Sequence, residues 1–347
     1  MFLHVHRHVK PDGRELLLYG RSPHVGAPVA EQEMQRGKSP RLRWHPLRQE
    51  WVVYAAARQG RTFLPQASEC PLCAACGDVS GEVPFADFEI AVFENRFPAL
   101  AGAALPLTPI EVGKEIEANG RCEVVIYSPD HATNLGTLPG ERLRLLIDVW
   151  ADRVKSLRGL GYPSIMPFEN RGEEIGVTLH HPHGQIYAFP FIPAQLLRAA
   201  EAQAAGPVVA NVMAGLDPAL KLLEDDAALS FVPPFAMYPY EIWLASKRRV
   251  ASPDVLDEAE RKALAHMLGD AVRRLDALFD SPMPYIMVIQ TAPAGFEDTF
   301  HMTIEIRPFR RDKGKLKYLA GVEQGSGVFL VDVSPEEAAQ RLRAALP

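Results

Sequence analysis

The chain has 347 residues, of which 47% are hydrophobic and 23% are charged. Its 37 Lys and Arg residues against 43 Asp and Glu residues leave a net charge of −6 at pH 7, which argues against the basic surface typical of nucleic-acid-binding proteins. No run approaches the roughly 18 consecutive apolar residues of a membrane helix, and the N-terminus lacks the apolar core of a signal peptide. We therefore expect one large or two smaller globular domains in the cytoplasm, with no nucleic-acid or membrane partner.

The sequence of the N-terminal half predicts a series of strands around one helix. Turn residues on both sides of 16–19 indicate a hairpin. Apolar residues at three- and four-residue spacing from Leu143 to Leu157 predict a helix. Short β-branched or aromatic segments predict further strands at 51–54, 88–93, 122–127, 164–168 and 184–189.

Three histidines alternate along the first predicted strand. His4, His6 and His8 would share one face of that strand, an arrangement that can bind a metal ion. Histidines near a chain terminus are more often solvated, and we favour that interpretation here.

The C-terminal half repeats the same order of elements. Strands are predicted at 228–232, 241–246, 285–289 and 301–306, with a helix over about 257–279. Ser128 and Ser246 are 118 positions apart, as are His183 and His301, which indicates a duplicated unit. An alanine-rich stretch over 194–226 is predicted to connect the copies. Because the strands follow one another through short turns, we predict an α+β fold with mostly antiparallel sheets and helices packed on one face.

The densest chemical signal is the segment 176–187. In an extended segment His181, His183 and Gln185 point to one face. A histidine nitrogen can attack phosphorus and form a covalent intermediate, while an amide can bind phosphoryl oxygens without adding charge. Gly184 allows a bulky ligand to approach the backbone. Together these residues favour a catalytic site over a run of core or surface histidines.

Three of the four cysteines lie within seven positions. Four cysteines in 347 residues are too few for a disulfide scaffold, and in a reducing compartment the cluster of Cys70, Cys73 and Cys76 favours metal binding.

Blocks along nearly the whole chain resemble the galactose-1-phosphate uridylyltransferase family, the transferase branch of the histidine-triad superfamily. The signature is His-Pro-His-Gly-Gln over 181–185, and the other matching blocks lie at 43–51, 70–73, 93–100, 128–131, 168–172 and 315–323. The resemblance implies a duplicated histidine-triad-like unit, with residues 1–195 carrying the metal site and the nucleophile. Residues 196–347 would form the second half of one compact catalytic unit.

The resemblance also implies a ping-pong reaction that moves UMP from UDP-glucose to galactose 1-phosphate. His183 matches the family's nucleophile and Gln185 the glutamine that holds the phosphate. The other positions that match substrate-binding residues are Leu72, Asn95, Asn170, Gly176, Val177, Thr178, Lys317 and Glu323. Lys317 and Glu323 match groups that come from a neighbouring subunit, which implies a homodimer with shared active sites.

One departure from the family pattern leaves the identity of the nucleotide base undecided. The family's ribose-binding aspartate is replaced by Arg96, which cannot accept hydrogen bonds from ribose hydroxyls. An adenylyltransferase or phosphorylase of the same superfamily, acting on ADP-glucose or a dinucleoside polyphosphate, is therefore the alternative. A nucleotide-binding protein without turnover and a related hydrolase are further alternatives.

The resemblance places one structural zinc ion on two thiolates and two imidazoles. The matching ligands are Cys70, Cys73, His131 and His181, a donor set suited to tetrahedral zinc, with Cys76 as a competing ligand. Some relatives carry a second metal site. Its positions here are Ala199, Gln290, Thr303 and Glu305, so we expect that site to be absent. His301 is then expected to be a buried core residue.

Overall fold

The chain is described from a computed structural model, which covers residues 3–31, 39–60, 63–75 and 81–346. Cys76, the competing metal ligand, lies outside these residues. The strands are β1 (His4–Val9), β2 (Glu15–Gly20), β3 (Arg41–His45), β4 (Glu50–Tyr54), β5 (Ile90–Glu94), β6 (Ile116–Glu117), β7 (Arg121–Ile126), β8 (Ser164–Arg171), β9 (His183–Phe189), β10 (Lys221–Glu224), β11 (Ala228–Phe231), β12 (Ile242–Ser246), β13 (Tyr285–Gln290), β14 (Thr303–Pro308), β15 (Arg310–Asp312) and β16 (Lys315–Leu316). The α-helices are α1 (Gly140–Gly159), α2 (Ala194–Ala205), α3 (Val208–Ala214), α4 (Glu258–Ala277), α5 (Gly321–Ser326) and α6 (Pro335–Ala345).

One antiparallel sheet of 11 strands runs through both halves of the chain, in the order β1-β2-β5-β7-β9-β8-β13-β14-β12-β11-β10. The halves join where β8 pairs with β13, with Phe168 opposite Val288. The strands β4, β3 and β6 form a separate three-stranded sheet, and β15 pairs with β16. The predicted α+β fold with mostly antiparallel strands is confirmed.

The two long helices pack against each other and against one face of the large sheet. Leu146 and Val154 of α1 and Leu264 of α4 are fully buried with the sheet residues Ile186 and Ile304 in one apolar core. This follows from the sequence, because three- and four-residue spacing gives each helix one apolar stripe. Each buried aliphatic side chain of this kind contributes about 1.5–3 kcal/mol to the free energy of folding.

Other segments cover the opposite face of the sheet. In the N-terminal half this face packs on the segment around Cys70 and Phe85. In the C-terminal half α2 and α3 line a cavity together with β12, β13 and β14. The alanine-rich connection therefore adds two helices to the face opposite α1 and α4.

The duplication is visible in matching contacts. Nε2 of His181 lies 2.8 Å from the Ser128 carbonyl oxygen, and Nε2 of His301 lies 2.9 Å from the Ser246 carbonyl oxygen. His301 thus corresponds to His181, 120 positions earlier, and not to His183 as the 118-residue spacing indicates. His301 is 2% exposed, which confirms the expectation of a buried residue.

The N-terminal histidines are packed rather than fully solvated. His6 and His8 place their rings edge-on to Phe85, with centroids 5.6 and 5.4 Å away. Nε2 of His8 also lies 2.5 Å from a carboxylate oxygen of Glu31. In the described part of the chain, none of the helices has both the length and the apolar composition needed to cross a membrane.

Candidate functional site

Strand β9 presents the two predicted catalytic side chains to one cavity. His183 and Gln185 alternate with buried residues along β9, and both line a cavity of about 220 Å³. Gly184 separates them. A Cβ atom on Gly184 would overlap the Tyr127 hydroxyl and lie 2.9 Å from the Phe168 carbonyl oxygen, so the strand packs closely only with glycine there.

The His183 ring is held in one tautomer. Its Nδ1 lies 2.7 Å from the His181 carbonyl oxygen, and because a carbonyl only accepts, Nδ1 carries the proton. Burial lowers the pKa of His183, since desolvation disfavours the charged imidazolium. At neutral pH the ring is therefore neutral, with a lone pair on Nε2.

A glycine turn forms one wall of the cavity. Gly176, Val177 and Thr178 line it just after a short 3₁₀ turn (Glu173–Ile175), and Gly176 has a φ of 82°, which favours glycine. The backbone N–H of Val177 bonds to the Gly172 carbonyl oxygen at 3.3 Å, which stabilises this turn.

Three more predicted substrate-binding residues line the same cavity. They are Leu72, Asn95 and Asn170. Asn95 accepts a bond from the Phe97 backbone N–H at 2.9 Å and donates from Nδ2 to Gln185 Oε1 at 3.5 Å. Because the Gln185 oxygen is used this way, its amide N–H groups remain donors toward a ligand.

Two arginines also line the cavity. Arg58 donates from Nη1 to the Tyr187 hydroxyl at 3.2 Å, and the Arg96 guanidinium lies 4.6 Å from the Phe97 ring centroid. In the sequence Arg96 stands out only as a departure from the family, and Arg58 was not predicted because it lies in a 3₁₀ turn (Ala56–Gly60) without a recognisable motif. Two guanidinium groups favour an anionic ligand.

The predicted metal ligands form a separate group beside β9. One ligand atom from each of Cys70, Cys73, His131 and His181 lies within 4.8 Å of the other three. Cys73 Sγ is 3.3 Å from His131 Nδ1 and 3.4 Å from His181 Nδ1. The donors come from a loop, from the segment after β7 and from the segment before β9.

The chemistry of this group fits a metal ion. Nε2 of His181 donates to the Ser128 carbonyl oxygen, which leaves Nδ1 as the lone-pair atom facing Cys73. Burial lowers the pKa of His181 to about 4, so its imidazole is neutral at pH 7. Burial and the neighbouring Cys70 raise the pKa of the Cys73 thiol to about 11, a shift that a bound cation reverses. The group could therefore hold a metal on two sulfurs and two nitrogens.

Lys317 and Glu323 lie away from the His183 cavity. Nζ of Lys317 donates to Glu323 Oε1 at 2.6 Å, and both residues are buried in the segment around α5. The second-metal positions Ala199, Gln290, Thr303 and Glu305 line the cavity under α2 and α3.

Comparison with known proteins identifies the family. Residues 30–193 match the family model "Galactose-1-phosphate uridyl transferase, N-terminal domain", and residues 220–347 match the C-terminal domain model. The galactose-1-phosphate uridylyltransferase of Thermotoga maritima is 38% identical over 87% of this chain and 97% of its own length. That of Streptomyces lividans is 37% identical over 96% of this chain and 95% of its own length.

Solved structures share the fold. A structure described as "Structure of uridylyltransferase" has a TM-score of 0.76 at 27% identity, covering 88% of this chain and 98% of its own. An ADP-glucose phosphorylase from Arabidopsis thaliana with bound ADP-glucose has a TM-score of 0.66 at 23% identity, over 88% and 99% of the two chains. The two family models together span most of the chain, which therefore belongs to the galactose-1-phosphate uridyl transferase family.

Proposed function

We propose that the protein is a galactose-1-phosphate uridylyltransferase that carries UMP on His183. The observation that supports this most directly is the His183 ring, whose Nδ1 proton is held by the His181 carbonyl oxygen within a cavity lined by Gln185. The relatives from Thermotoga maritima and Streptomyces lividans carry this name.

The reaction takes place in two displacements. The Nε2 lone pair of His183 attacks the α-phosphorus of UDP-glucose, forming an N–P bond and breaking the P–O bond to glucose 1-phosphate. A phosphate oxygen of galactose 1-phosphate then attacks the same phosphorus and breaks the N–P bond, which releases UDP-galactose and restores the lone pair. Because Nε2 never carries the proton, His183 needs orientation more than a change of protonation.

The surrounding groups suit the charge of the transferred phosphoryl group. The Gln185 amide and Thr178 offer uncharged donors, and the Arg58 guanidinium offers a positive charge. Gly176 and Val177 shape the wall beside them, because their backbone N–H groups already bond within the turn. Donors that are already fixed by the fold stabilise the transition state without further reorganisation. Asn170 would add an amide contact at the phosphates, while Leu72 and Asn95 would contact the base and the ribose.

We also propose that Cys70, Cys73, His131 and His181 hold a structural zinc ion. All four coordination positions are then filled by protein atoms, so the ion stabilises the fold and does not bind substrate. His181 joins the two sites, because its Nδ1 faces Cys73 while its carbonyl oxygen accepts the hydrogen bond from His183 Nδ1. Zinc binding would thereby orient the nucleophile.

A homodimer in the cytoplasm completes the proposal. Lys317 and Glu323 lie outside the cavity of their own chain, which is consistent with a role at the active site of a neighbouring subunit. A reducing compartment would keep the thiols of the metal group from forming disulfides.

One residue of the cavity supports a second candidate function. Arg96 lines the cavity where an acceptor for ribose hydroxyls is expected, so transfer of an adenylyl group from ADP-glucose or a dinucleoside polyphosphate is the alternative.

The test is the intact mass of the protein at neutral to alkaline pH after incubation with UDP-glucose or with ADP-glucose, because a phosphoramidate is lost in acid. We expect a uridylyl adduct in the native protein and none in His183→Gly, which should keep its fold but lose turnover. An adenylyl adduct alone would move the function to the alternative. Turnover retained by His183→Gly would refute the proposed nucleophile.

A further inference from the structure

A second cavity opens on the same face of the sheet in the C-terminal half. Its volume is about 390 Å³, and it shares no lining residue with the His183 cavity. The two cavities lie at equivalent places in the two copies of the duplicated unit. In the first copy Phe168 pairs with Gln185, and in the second copy the residues 120 positions later, Val288 and Glu305, pair in the same way. The position equivalent to His183 is Thr303, so this cavity can bind a ligand but lacks the nucleophile.

The walls of this second cavity are mainly apolar. They include Leu196, Val209 and Val212 from α2 and α3, together with Phe189 and Trp243 from the sheet. An apolar cavity with a few polar groups at one end is the usual form of a small-molecule site. The walls therefore favour a ligand with an apolar body.

Three charged side chains line the floor of the cavity. The lining residues that the structure describes all lie within 164–307. Glu305 accepts a bond from Arg307 at 2.5 Å and one from the Thr303 hydroxyl at 3.1 Å. Glu241 accepts bonds from the Trp243 indole N–H at 2.8 Å and from two backbone N–H groups. Two carboxylates face one guanidinium, so the floor can accommodate a positively charged group from a ligand.

The floor also contains a donor without a partner. Nε of Arg307 is buried and has no hydrogen-bond partner among the described residues. Because a buried donor without an acceptor is destabilising, a ligand that supplies an acceptor gains from this group.

A metal ion does not fit this cavity. Of the four second-metal positions, Ala199 has no ligand atom and Glu305 alone has a carboxylate, which is already paired with Arg307. Gln290 and Thr303 offer only neutral oxygens.

We propose that this cavity binds a zwitterion with an apolar body, namely an α-amino acid with an apolar side chain. Its ammonium group would lie near Glu305, its carboxylate would accept from Arg307, and its side chain would occupy the space beneath α2 and α3. The site does not depend on the transferase proposal, because none of these residues lines the His183 cavity.

The experiment is titration calorimetry of the full chain with three matched compounds: L-phenylalanine, phenethylamine, which lacks the carboxylate, and 3-phenylpropanoate, which lacks the ammonium. We expect L-phenylalanine to bind at one site per chain, at least about tenfold more tightly than either fragment. Equal or tighter binding of a fragment, or no binding of L-phenylalanine to the folded protein, would overturn the proposal.

Variants locate the site. Glu305→Gln should weaken phenethylamine and L-phenylalanine by about tenfold and leave 3-phenylpropanoate unchanged or tighter, because it removes one charge and keeps the shape. Val212→Phe should fill the cavity and abolish binding of all three compounds. If Glu305→Gln does not fold, Val212→Phe alone tests whether the compounds bind in this cavity. His183→Ala should bind L-phenylalanine like the native protein. Unchanged binding by a folded Val212→Phe variant would refute this location.

Discussion

At the scale of single residues, Gly184 determines where the two proposed catalytic side chains lie. It separates His183 from Gln185 on a strand that passes close to the Tyr127 hydroxyl and the Phe168 carbonyl oxygen. A substitution there acts on both proposed catalytic residues at once, although glycine itself has no side chain to take part in the chemistry.

We expect Gly184→Ala to lower the free energy of unfolding by about 1–3 kcal/mol, because the added methyl group overpacks the site. A shift of β9 by about 1 Å should also reduce turnover by about 100-fold, since His183 and Gln185 move together. Urea denaturation and steady-state kinetics with UDP-glucose and galactose 1-phosphate measure the two effects.

The matched control removes one of the two close contacts. Tyr127→Phe deletes the hydroxyl that the new methyl group overlaps, so the double variant should recover part of the lost stability. A Gly184→Ala protein with native stability and turnover would show that the strand tolerates a side chain here.

At the scale of elements, the four candidate metal ligands come from three segments that are far apart in the chain, which a bound metal would fasten together. Cys73 is central to it, because its sulfur faces both His131 and His181. We expect Cys73→Ser to lose bound zinc and melt at a lower temperature. A chelator should lower the melting temperature of the native protein but not that of the variant. At free zinc about 100-fold above the dissociation constant, binding to the folded chain contributes about 3 kcal/mol.

Cys122→Ser is the control for this prediction. Cys122 is buried in another apolar cluster and takes no part in the metal group, so this variant should keep one zinc per chain even if its stability falls. Equal zinc content and equal chelator response in the native and Cys73→Ser proteins would contradict a structural zinc.

At the scale of the whole molecule, a buried carboxyl group lies where the two halves join. Glu169 is 4% exposed and lies opposite Met287, where β8 pairs with β13. Burial raises the pKa of Glu169 to about 7, although Arg171 acts in the opposite direction. The folded chain therefore binds a proton at this group over a pH range in which the unfolded chain has already lost it.

The free energy of unfolding should therefore fall as the pH rises from about 4.5 to about 7, by about 3 kcal/mol in total for this group. Its contribution is complete below the unfolded pKa and is lost as the pH passes the folded pKa. We expect Glu169→Gln to remove this loss, so that the variant equals the native protein near pH 5 and exceeds it near pH 8. Urea denaturation at both values, with saturating zinc, measures the difference.

Glu123 is the contrasting group. Although it is buried, Arg153 and Arg121 lower its pKa, so its contribution is present above the unfolded pKa and is lost toward acid. Glu123→Gln should therefore destabilise the protein at pH 8. If the free energy of unfolding had the same pH dependence in Glu169→Gln as in the native protein, Glu169 would not be the titrating group.

Much of the fold could be predicted because its signals are local. The stripe that makes α4 a helix and the alternation that places His183 and Gln185 on one face lie within 20 consecutive residues or fewer. The predicted strand at 301–306 begins later, at Thr303, since His301 turns its ring to the Ser246 carbonyl oxygen. Strand ends depend on such distant partners, which a local pattern does not contain.

The sequence by itself predicted the element types, the duplication, the proposed catalytic pair and the four candidate metal ligands, because short spacings and family motifs carry that information. Only the tertiary structure decided that β8 pairs with β13 to form one sheet, that Arg58 enters the cavity of His183, and that α2 and α3 enclose a second cavity. Arg58 and Tyr187 are 129 positions apart. Contacts of this kind depend on the packing of the whole chain, which no single segment specifies.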